Sequence, residues 1–406
     1  MTTVQARLHR RSAWFLQQGK GKNDLHALFI HSARDWSGTA RLFARAARGI
    51  SEHGAKVSLL VTPDSNVHLA VSPRREPGQP KNTPIPEPFE IIPFASGGFF
   101  FAAARRLRKI FRRWDVDVVV VSTDREHLVA ATACWLAKNG AVVRWTPAGK
   151  QLEMGFSGRW ASRLTKTSFL FASETDRHAA SLPKNALESA VAEIGVDVAQ
   201  YPTYTPPEDA AEHEGDETEA PALRFIVCVY DPSSRGRAAT AIRTLSMLTP
   251  RHPHLRLLIV GAGSDDEDLR MQAAALRVLH LVSFLGERGD EIRIMQDAHL
   301  GWVVAEGDTA AYGILDMMAL GIPTVASEGG IAERYIAHGI SGALYPPDDS
   351  AGTAAAVAGL LISDEQREAM GNAARVRVTR EFPEERMVKG FGNAINNARN
   401  RTQRKR

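Results

Sequence analysis

The sequence predicts an α/β protein with two Rossmann-like domains, each built on a doubly wound parallel sheet. Apolar strand-length segments alternate with helix-length segments along both halves of the chain, which is the pattern of parallel sheets covered by helices. Residues 116–121 are apolar almost throughout, as expected for a strand that is buried on both faces. The 406 residues supply enough mass for two ordinary hydrophobic cores.

A third observation separates the two domains. Residues 203–221 are acidic, contain proline and are nearly devoid of large apolar side chains. Such a composition cannot form a core and indicates a linker or a solvated loop. We therefore expect an N-terminal domain at residues 1–202, the acidic linker at 203–221, a C-terminal domain at 222–382, and a final helix with a basic tail at 383–406.

The N-terminal half begins with a basic arm and then alternates strands and helices. Helix 39–53 carries apolar residues at helical spacing and stops at a His-Gly pair. Residues 72–88, rich in Pro, Arg and Lys, indicate a loop, and a strand at 168–172 is expected to close the domain. The predicted strands are 25–30, 57–61, 89–93, 116–121, 141–145 and 168–172, and the predicted helices are 39–53, 99–113 and 126–138.

The C-terminal half restarts with a strand at 224–229 and repeats the alternation. A Pro-Pro-Asp-Asp turn at 346–349 separates its last strand from the closing helices. The predicted strands are 224–229, 255–260, 282–285, 300–304, 324–326 and 343–345, and the predicted helices are 236–248, 265–276, 289–296, about 310–320, 350–362, 364–380 and about 383–399.

Cysteine usage and the lengths of apolar runs indicate a cytoplasmic protein. Cys134 and Cys228 lie far apart in apolar surroundings, so they suggest neither a disulfide framework nor a metal site. No apolar run reaches the length of a membrane span, and the N-terminus lacks the apolar core of a signal peptide. The net charge of +4 is unevenly distributed, so its clusters are more informative than the total.

The segment from Asp308 to Glu333 carries the most specific pattern in the chain. It predicts a loop, a helix that starts near Ala310, a tight turn, a buried strand and a Gly-Gly turn. Gly321 is placed for a left-handed C-cap, and Pro323 prevents the helix from continuing. A helix N-terminus offers unpaired N–H groups and a positive dipole end, which suit a diphosphate, while a nearby carboxylate suits a ribose hydroxyl.

This segment resembles the retaining glycosyltransferases of the two-domain GT-B type, in glycosyltransferase family 4. Their pattern is Glu-x7-Glu-Ala-Met-Ala-x-Gly-x-Pro-Val-Val-Ala-Ser, followed by Gly-Gly-x-x-Glu. The match is close over residues 318–323 and 329–333, but both glutamates are aspartates here, Asp308 and Asp316. The Glu-x7-Glu motif is therefore degenerate. The resemblance implies a GT-B fold in which two Rossmann-like domains face a cleft and the last helix crosses back to the N-terminal domain.

Two loops resemble the family's phosphate-binding elements. Residues 230–236 fall where the family has Arg-x4-Lys-Gly, whose two cations hold the donor diphosphate; Arg235 preserves one charge, and Tyr230 cannot replace the other. The Ser-Gly-Thr around Gly38 resembles a loop whose backbone N–H groups contact the donor phosphate. The alternatives are a solvated turn residue for Arg235 and an ordinary helix N-cap for the Ser-Gly-Thr.

Two further elements of the C-terminal half occur in the family's order. Gly261 lies in a Val-Gly-Ala-Gly-Ser stretch that resembles the family's Val-Gly-x-Gly turn, although a tight strand-to-helix turn explains it equally well. The run Phe284, Leu285 and Gly286 resembles the Phe-x-Gly element whose backbone meets the nucleotide base.

The resemblance implies transfer of a sugar from a nucleotide-sugar donor, such as a UDP- or GDP-sugar, to an acceptor hydroxyl. The acceptor is a glycan, a lipid-linked molecule or a small molecule. Transfer is expected to be retaining, without a metal or another cofactor, and to depend on electrostatic stabilisation of the leaving diphosphate. The expected catalytic residues are Asp308, near the sugar ring, and Arg235. The expected donor-binding residues are Gly38, Arg235, Gly261, Phe284, Leu285, Gly286, Thr309, Ala310, Ala311, Tyr312, Gly313 and, at the ribose, Asp316.

Both aspartates have an alternative role as helix-capping or first-turn charges, with Asp308 a good N-cap candidate. Two other functions also remain open. The shortened carboxylates, the missing second cation and the absence of the family's sugar-facing histidine suit a non-catalytic nucleotide-sugar-binding partner subunit. A GT-B sugar-nucleotide epimerase would need further acid and base groups. In place of that histidine the chain has Arg144 and Lys150. The two alternatives for these cations are binding of an anionic group and a role as surface charges. For His127 the alternatives are a cleft residue and a surface residue at the start of a helix.

Residues 99–114 predict contact with an anionic membrane surface. Consecutive aromatic residues precede a cluster of basic residues, and Leu107, Ile110, Phe111 and Trp114 form an apolar stripe on the helix. Many members of the family that the chain resembles act on lipid-linked acceptors, so a peripheral membrane location would bring the enzyme close to such an acceptor. The alternative is an ordinary amphipathic helix that buries this stripe on the sheet. Nucleic acid is not expected as a partner, because the aromatic residues are adjacent rather than interleaved.

Overall fold

The computed structural model describes residues 25–72, 89–94, 100–202, 223–347 and 349–403. The chain divides into two compact units, Met1–Glu193 with Glu385–Arg406, and Ile194–Glu384. The predicted linker at 203–221 lies outside the described residues, as do most of the loop predicted at 72–88 and the last residues of the basic tail.

The first unit is a parallel sheet with helices on both faces. Its described strands are β1 (His26–His31), β2 (Lys56–Val61), β3 (Glu90–Pro93), β4 (Val118–Val121), β5 (Ala141–Thr146), β6 (Thr167–Phe171) and β7 (Glu188–Val191). The helices before residue 193 are α1 (Gly38–Glu52), α2 (Asn66–Val71), α3 (Phe100–Trp114), α4 (Asp124–Ala137), α5 (Phe156–Leu164) and α6 (Glu174–Ala179). The strand order is β3-β2-β1-β4-β5-β6-β7, with parallel pairing throughout.

Alternation along the buried strands sends side chains into two cores. In β1, Leu28 and Ile30 join the cluster formed with α3 and α4. Phe29 points to the other face, where its ring centroid lies 5.5 Å from that of Phe43 in α1. The four valines of β4 are all buried, as expected for a strand covered on both sides.

The second unit repeats this architecture. Its described strands are β8 (Arg224–Val229), β9 (Leu255–Val260), β10 (Val282–Gly286), β11 (Leu300–Val303), β12 (Thr324–Ser327) and β13 (Ala343–Tyr345). Its helices are α7 (Arg235–Leu248), α8 (Glu267–Ala275), α9 (Glu291–Gln296), α10 (Gly307–Leu320), α11 (Ala332–Tyr335), α12 (Ser350–Ile362) and α13 (Asp364–Glu381). The strand order is β10-β9-β8-β11-β12-β13, again parallel. Helices α7, α8 and α12 share one core cluster with the sheet, and α10 packs against α13.

The final helix, α14 (Glu384–Gln403), is packed into the first unit. The Phe391 ring stacks on Trp145, with ring centroids 5.3 Å apart, and also contacts Phe29 and Phe43. Gly390 permits close packing of this helix, because a Cβ there would lie 2.7 Å from the Ala192 side chain. The last helix therefore completes a core that begins with β1.

The predicted fold class, two doubly wound parallel-sheet domains, agrees with this architecture. The strand at 168–172 does not close the first sheet, because β7 pairs beyond β6. Helices α2, α5 and α6 were not predicted. Residues 194–202, which the sequence analysis assigned to the N-terminal domain, belong to the second compact unit. Within the described residues, no helix combines the length and apolarity needed to span a membrane.

Candidate functional site

The strand order of the second unit reverses between β8 and β11. These strands are neighbours, while β9 lies on the far side of β8 and β12 on the far side of β11. Ligands of open α/β sheets bind beyond the carboxyl ends of the strands at such a reversal. Arg235, Gly261, Gly286 and Asp308 all lie at the carboxyl ends of β8 to β11 or just after them. The structure therefore brings four predicted site residues to one edge of one sheet.

Arg235, the first residue of α7, is held by two carboxylates. Its Nε lies 2.8 Å from Asp266 Oδ2, and its Nη1 lies 2.8 Å from Asp268 Oδ2. The pKa of the Arg235 guanidinium is raised, mainly by the negative charge of Asp266 and next by a hydrogen bond with the Tyr230 hydroxyl. Burial and then Asp266 raise the pKa of Tyr230. Because 57% of its side chain is exposed, Arg235 is accessible to an anion although its charge is already paired.

Gly261 lets the end of β9 approach the end of β8. Its φ is +129°, and a Cβ at this position would lie 2.1 Å from the Tyr230 carbonyl oxygen. The Gly261 N–H donates to the Gly286 carbonyl oxygen at 3.0 Å, and the Gly286 N–H donates to Ser264 Oγ at 2.9 Å. The tight turn predicted after this strand is confirmed, and a contact between Gly261 and a donor stays a prediction.

Phe284, Leu285 and Gly286 form the end of β10. All three are half-buried, and the register against β9 shifts between Phe284 and Gly286. The Phe284 ring lies beneath the Arg270 guanidinium, 4.8 Å from the ring centroid. The backbone at this strand end is irregular and partly accessible, and its predicted contact with a nucleotide base stays a prediction.

Helix α10 begins at Gly307, so the prediction of a start near Ala310 was wrong. Glu306 is the N-cap residue, and the Ala310 N–H already donates to the Glu306 carbonyl oxygen at 3.2 Å. The positive end of the helix dipole therefore lies at Gly307. The predicted donor-binding residues at the start of this helix lie within its first two turns, namely Thr309, Ala310, Ala311, Tyr312 and Gly313.

The Asp231 carboxylate, in the loop after β8, accepts a hydrogen bond at the N-terminus of α10. The Glu306 N–H donates to Asp231 Oδ2 at 2.5 Å, across the reversal between β8 and β11. The Glu306 carboxylate in turn pairs with Arg237 of α7 at 2.8 Å. The sequence analysis missed Asp231, Arg237 and Glu306. An Asp-Pro pair at the start of a helical turn was the one available signal, and it points only to Asp231.

Asp308 and Asp316 are both buried, with 2% and 1% of their surfaces exposed. Asp308 lies in the first turn of α10, after the N-cap residue, so the N-cap reading was wrong and the first-turn reading is confirmed. Eight residues along an α-helix span roughly 12 Å, so the two residues are about two turns apart on α10. The described residues contain no group of three or more His, Cys, Asp and Glu side chains arranged to hold a metal ion.

Asp316 has a partner that the sequence did not suggest. The Tyr201 hydroxyl donates to Asp316 Oδ1 at 2.5 Å, and Tyr201 is itself buried. Tyr201 follows a short 3₁₀ turn, Val198–Gln200, at the start of the second unit. The two residues are 115 positions apart, so no local pattern could link them.

The first unit has an equivalent reversal between β1 and β4, and a buried carboxylate spans it. Glu126 accepts hydrogen bonds from the Ser32 N–H at 2.7 Å and from the Ser122 N–H at 3.0 Å. Gly38 is the first residue of α1, after the N-cap residue Ser37. The N-cap alternative for this Ser-Gly-Thr is therefore confirmed, and phosphate binding at Gly38 stays a prediction.

Arg144 is buried and paired, so its reading as a surface charge was wrong. Its Nη1 lies 2.5 Å from Asp124 Oδ1 and 3.3 Å from His127 Nδ1. His127 is fully buried, which overturns its prediction as a cleft or surface residue. Burial, followed by the Arg144 charge, lowers the pKa of His127 to about 3. Lys150 is exposed.

Helix α3 places its apolar stripe in the core of the first unit. Leu107 and Phe111 are buried, and Ile110 and Trp114 pack against the same cluster. The alternative of an ordinary amphipathic helix is confirmed for this stripe. The cations on the outer side are exposed, namely Arg105, Arg106, Lys109, Arg112 and Arg113. Phe99, at the start of the predicted segment, lies outside the described residues.

Comparison with known proteins finds a family match within the C-terminal half of the chain. Residues 217–377 match the family model described as Glycosyl transferases group 1. The chain is 36% identical over 205 residues to the phosphatidyl-myo-inositol mannosyltransferase of Mycolicibacterium smegmatis, covering 48% of this chain and 49% of that relative. It is 32% identical over 145 residues to the glycogen synthase of Mycobacterium tuberculosis, covering 35% of each. The matches thus span about half or less of these curated relatives.

Solved structures share the fold over nearly the whole chain. Anabaena HepE, in complex with UDP and glucose, has a TM-score of 0.70 and 17% identity, covering 92% of this chain and 99% of that one. A glycosyltransferase from Rickettsia africae has a TM-score of 0.68 and 16% identity, covering 92% and 98%. These likenesses confirm the predicted GT-B class of two Rossmann-like domains.

Proposed function

We propose that this chain, whose residues 217–377 match the group 1 glycosyltransferase family model, transfers a sugar from a nucleotide-sugar donor to an acceptor hydroxyl. The observation that carries the proposal is that Arg235, Gly261, Gly286 and the N-terminus of α10 all lie at the carboxyl-end edge of the sheet whose strand order reverses between β8 and β11. A cation beside a helix N-terminus at this place in the sheet suits the diphosphate of a nucleotide. The complex of Anabaena HepE with UDP and glucose supports a donor of this type.

In this proposal the reaction retains the anomeric configuration. The acceptor oxygen forms a bond to the sugar's anomeric carbon on the face from which the diphosphate leaves. The bond between that carbon and the phosphate oxygen breaks, and the departing oxygen takes the acceptor's proton. Arg235 exchanges Asp266 and Asp268 for phosphate oxygens, and the positive end of α10 faces the same charge, so electrostatic stabilisation of the leaving group lowers the barrier. The scheme requires neither a bound metal nor another cofactor.

The remaining predicted residues hold the rest of the donor. Asp316 binds the ribose hydroxyls, and Asp308, in the first turn of α10, approaches the sugar ring. The backbone at the end of β10 meets the base. The acceptor is a hydroxyl of a glycan, a lipid-linked molecule or a small molecule.

Calorimetry with UDP and GDP on the full chain tests the donor site. Arg235→Ala should raise the Kd about tenfold or more, because a hydrogen bond between charged groups is lost. Arg288→Ala removes another exposed arginine, paired with Asp290 at 2.7 Å, and should leave the Kd unchanged. The absence of heat with either nucleotide, or equal effects of the two variants, contradicts the proposed donor site.

A non-catalytic nucleotide-sugar-binding partner subunit is the second candidate. The ion pairs of Arg235 with Asp266 and Asp268 favour it, because a neutralised cation stabilises a leaving diphosphate less. Product analysis with a labelled UDP- or GDP-sugar separates the candidates. Transfer to an acceptor supports the enzyme, binding without any product supports the partner subunit, and an isomerised donor indicates an epimerase.

We also propose that the protein works in the cytoplasm at an anionic membrane surface. Since the apolar stripe of α3 is buried, attraction comes from its exposed cations, each worth about 1 kcal/mol near such a surface. Helix α5 adds two exposed aromatic side chains, Phe156 and Trp160, with ring centroids 6.3 Å apart. Trp160 suits a membrane interface, because its ring is apolar while its N–H can stay hydrated, and Phe156 adds exposed apolar surface.

Co-sedimentation with vesicles containing anionic lipid tests this location. Binding should occur at low salt, weaken at high salt and be lost when Arg105, Arg106 and Lys109 are changed to Glu. Changing the exposed Arg243, Arg251 and Arg277 of the second unit to Glu provides the charge-matched control, because it also reverses three positive charges. A wild-type chain that stays in the supernatant at low salt contradicts the membrane proposal and leaves the transfer proposal unaffected.

A further inference from the structure

The contact between Tyr201 and Asp316 is a hydrogen bond between two buried side chains of the second unit. The phenol donates to Asp316 Oδ1 at 2.5 Å. Only 1% of the surface of Asp316 is exposed, and a carboxylate at that depth is destabilising unless hydrogen bonds satisfy its oxygens. The Tyr201 hydroxyl therefore compensates for burial and also restricts the rotation of the carboxylate.

The backbone beside Tyr201 is anchored to α13 and, through it, to α10, the helix that carries Asp316. The Pro202 carbonyl oxygen accepts a hydrogen bond from Arg375 Nη1 of α13 at 3.2 Å. The same Arg375 nitrogen donates to the Ala319 carbonyl oxygen, near the end of α10. The phenol thus reaches Asp316 from a segment tied to α10 and α13, which gives the hydrogen bond a fixed direction.

We propose that Tyr201 is a positioning residue for the ribose-binding carboxylate. The inference rests on the proposed function, in which Asp316 binds the ribose hydroxyls. Aspartate has one methylene fewer than the glutamate of the family pattern, so its carboxylate has a shorter reach from α10. The Tyr201 hydroxyl holds this short side chain in one orientation before the nucleotide arrives. Pre-organisation of this kind removes part of the entropy loss that binding would otherwise carry.

Removal of the hydroxyl tests the role of Tyr201 while its ring stays in place. The Kd values of UDP, GDP and inorganic diphosphate are measured by calorimetry on the full chain, in wild type and in Tyr201→Phe. We expect the nucleotide Kd to rise about tenfold and the inorganic diphosphate Kd to stay within about twofold, because Asp316 contacts the ribose only. Tyr335→Phe, which removes another buried phenol hydroxyl of the same unit, should leave both values unchanged.

A second variant separates positioning from general stability. Asp316→Glu in the Tyr201→Phe background restores the methylene of the family pattern. The longer side chain should reach the ribose without the help of the phenol, so most of the nucleotide affinity should return. A role of Tyr201 in packing alone would give no such recovery.

Each outcome supports or overturns the inference. A wild-type chain that binds neither UDP nor GDP overturns both the proposed function and the role of Tyr201. Wild-type binding with an unchanged nucleotide Kd in Tyr201→Phe overturns the inference alone. Equal weakening of nucleotide and inorganic diphosphate, with a lowered thermal midpoint and no recovery in the double variant, assigns Tyr201 a structural role and also overturns it.

Discussion

Acidification should destabilise the first unit through His127, and the size of this effect follows from the surroundings of the ring. Nε2 lies 2.8 Å from Thr167 Oγ1, and Nδ1 lies 3.3 Å from Arg144 Nη1. Because the guanidinium can only donate, Nδ1 accepts and Nε2 carries the proton of the neutral ring. Burial and the adjacent positive charge lower the pKa from 6.5 to about 3.

In the unfolded chain the pKa of His127 returns to its ordinary value. Between pH 6.5 and about 3 the unfolded state therefore binds a proton that the folded state does not. The stability that depends on the neutral ring is complete above pH 6.5 and is lost as the pH falls toward 3. Between pH 7 and pH 5 this linkage lowers the free energy of unfolding by about 2 kcal/mol.

Urea unfolding followed by circular dichroism at pH 7, 6 and 5 measures the effect in wild type and in His127→Gln. Glutamine keeps a polar side chain but does not titrate. The variant should be less stable at pH 7 and should lose about 2 kcal/mol less than wild type on going to pH 5. Burial also lowers the pKa values of His26 and His31. Both residues are present in wild type and variant, so their contributions cancel when the two losses of stability are compared.

His178→Gln, at an exposed histidine of the same unit, is the control and should follow wild type. Equal losses of stability in wild type and His127→Gln between pH 7 and pH 5 would refute the reasoning. That result would mean that His127 takes up no additional proton when the first unit unfolds.

Three further predictions concern backbone fit, packing and charge. Gly261→Ala should lower the free energy of unfolding by more than about 2 kcal/mol, because the new Cβ would clash with a backbone oxygen at a strained φ. Gly236→Ala, where a Cβ would have open space, is the control and should not destabilise the protein; urea unfolding compares the two variants. Phe391→Ala should cost about 3–5 kcal/mol by the same assay, and a smaller loss would mean that the first unit closes over the gap. Asp268→Asn should lower the Kd of UDP in calorimetry, because Arg235 loses one competing carboxylate; an unchanged Kd would argue against phosphate binding by Arg235.

The sequence predicted elements well where apolar runs determine them. The buried strands β4 and β8 and the left-handed C-cap at Gly321 were all anticipated, because each depends on a few adjacent residues. Strand β7 was missed because its four residues are half-buried and include a glutamate, so they lack the apolar run of a central strand. The start of α10 was misplaced because Asp308 was interpreted as a loop residue that precedes the helix.

The candidate site was predictable only where a residue acts through its local backbone. Gly261 was identified through its resemblance to the family's Val-Gly-x-Gly turn, and the structure has a positive φ at this residue, as a tight turn allows for glycine. The carboxylates paired with Arg235 and the phenol bonded to Asp316 lie 31 or more positions away in the chain, so these contacts depend on tertiary packing. The burial of Arg144 was missed for the same reason, since its ion pair joins β5 to Asp124 at the start of α4.

The place of α14 in the first unit affects the order in which the chain can fold during synthesis. Phe391 fills the aromatic cluster of Phe29, Phe43 and Trp145, so this cluster is incomplete until the last helix has left the ribosome. The second unit, Ile194–Glu384, is translated in full before then. At ordinary translation rates, roughly ten to forty seconds pass between the synthesis of the first unit's main segment and the synthesis of Phe391. The unit that is encoded first is therefore the one that closes last, and during this interval it is the part of the nascent chain most in need of a chaperone.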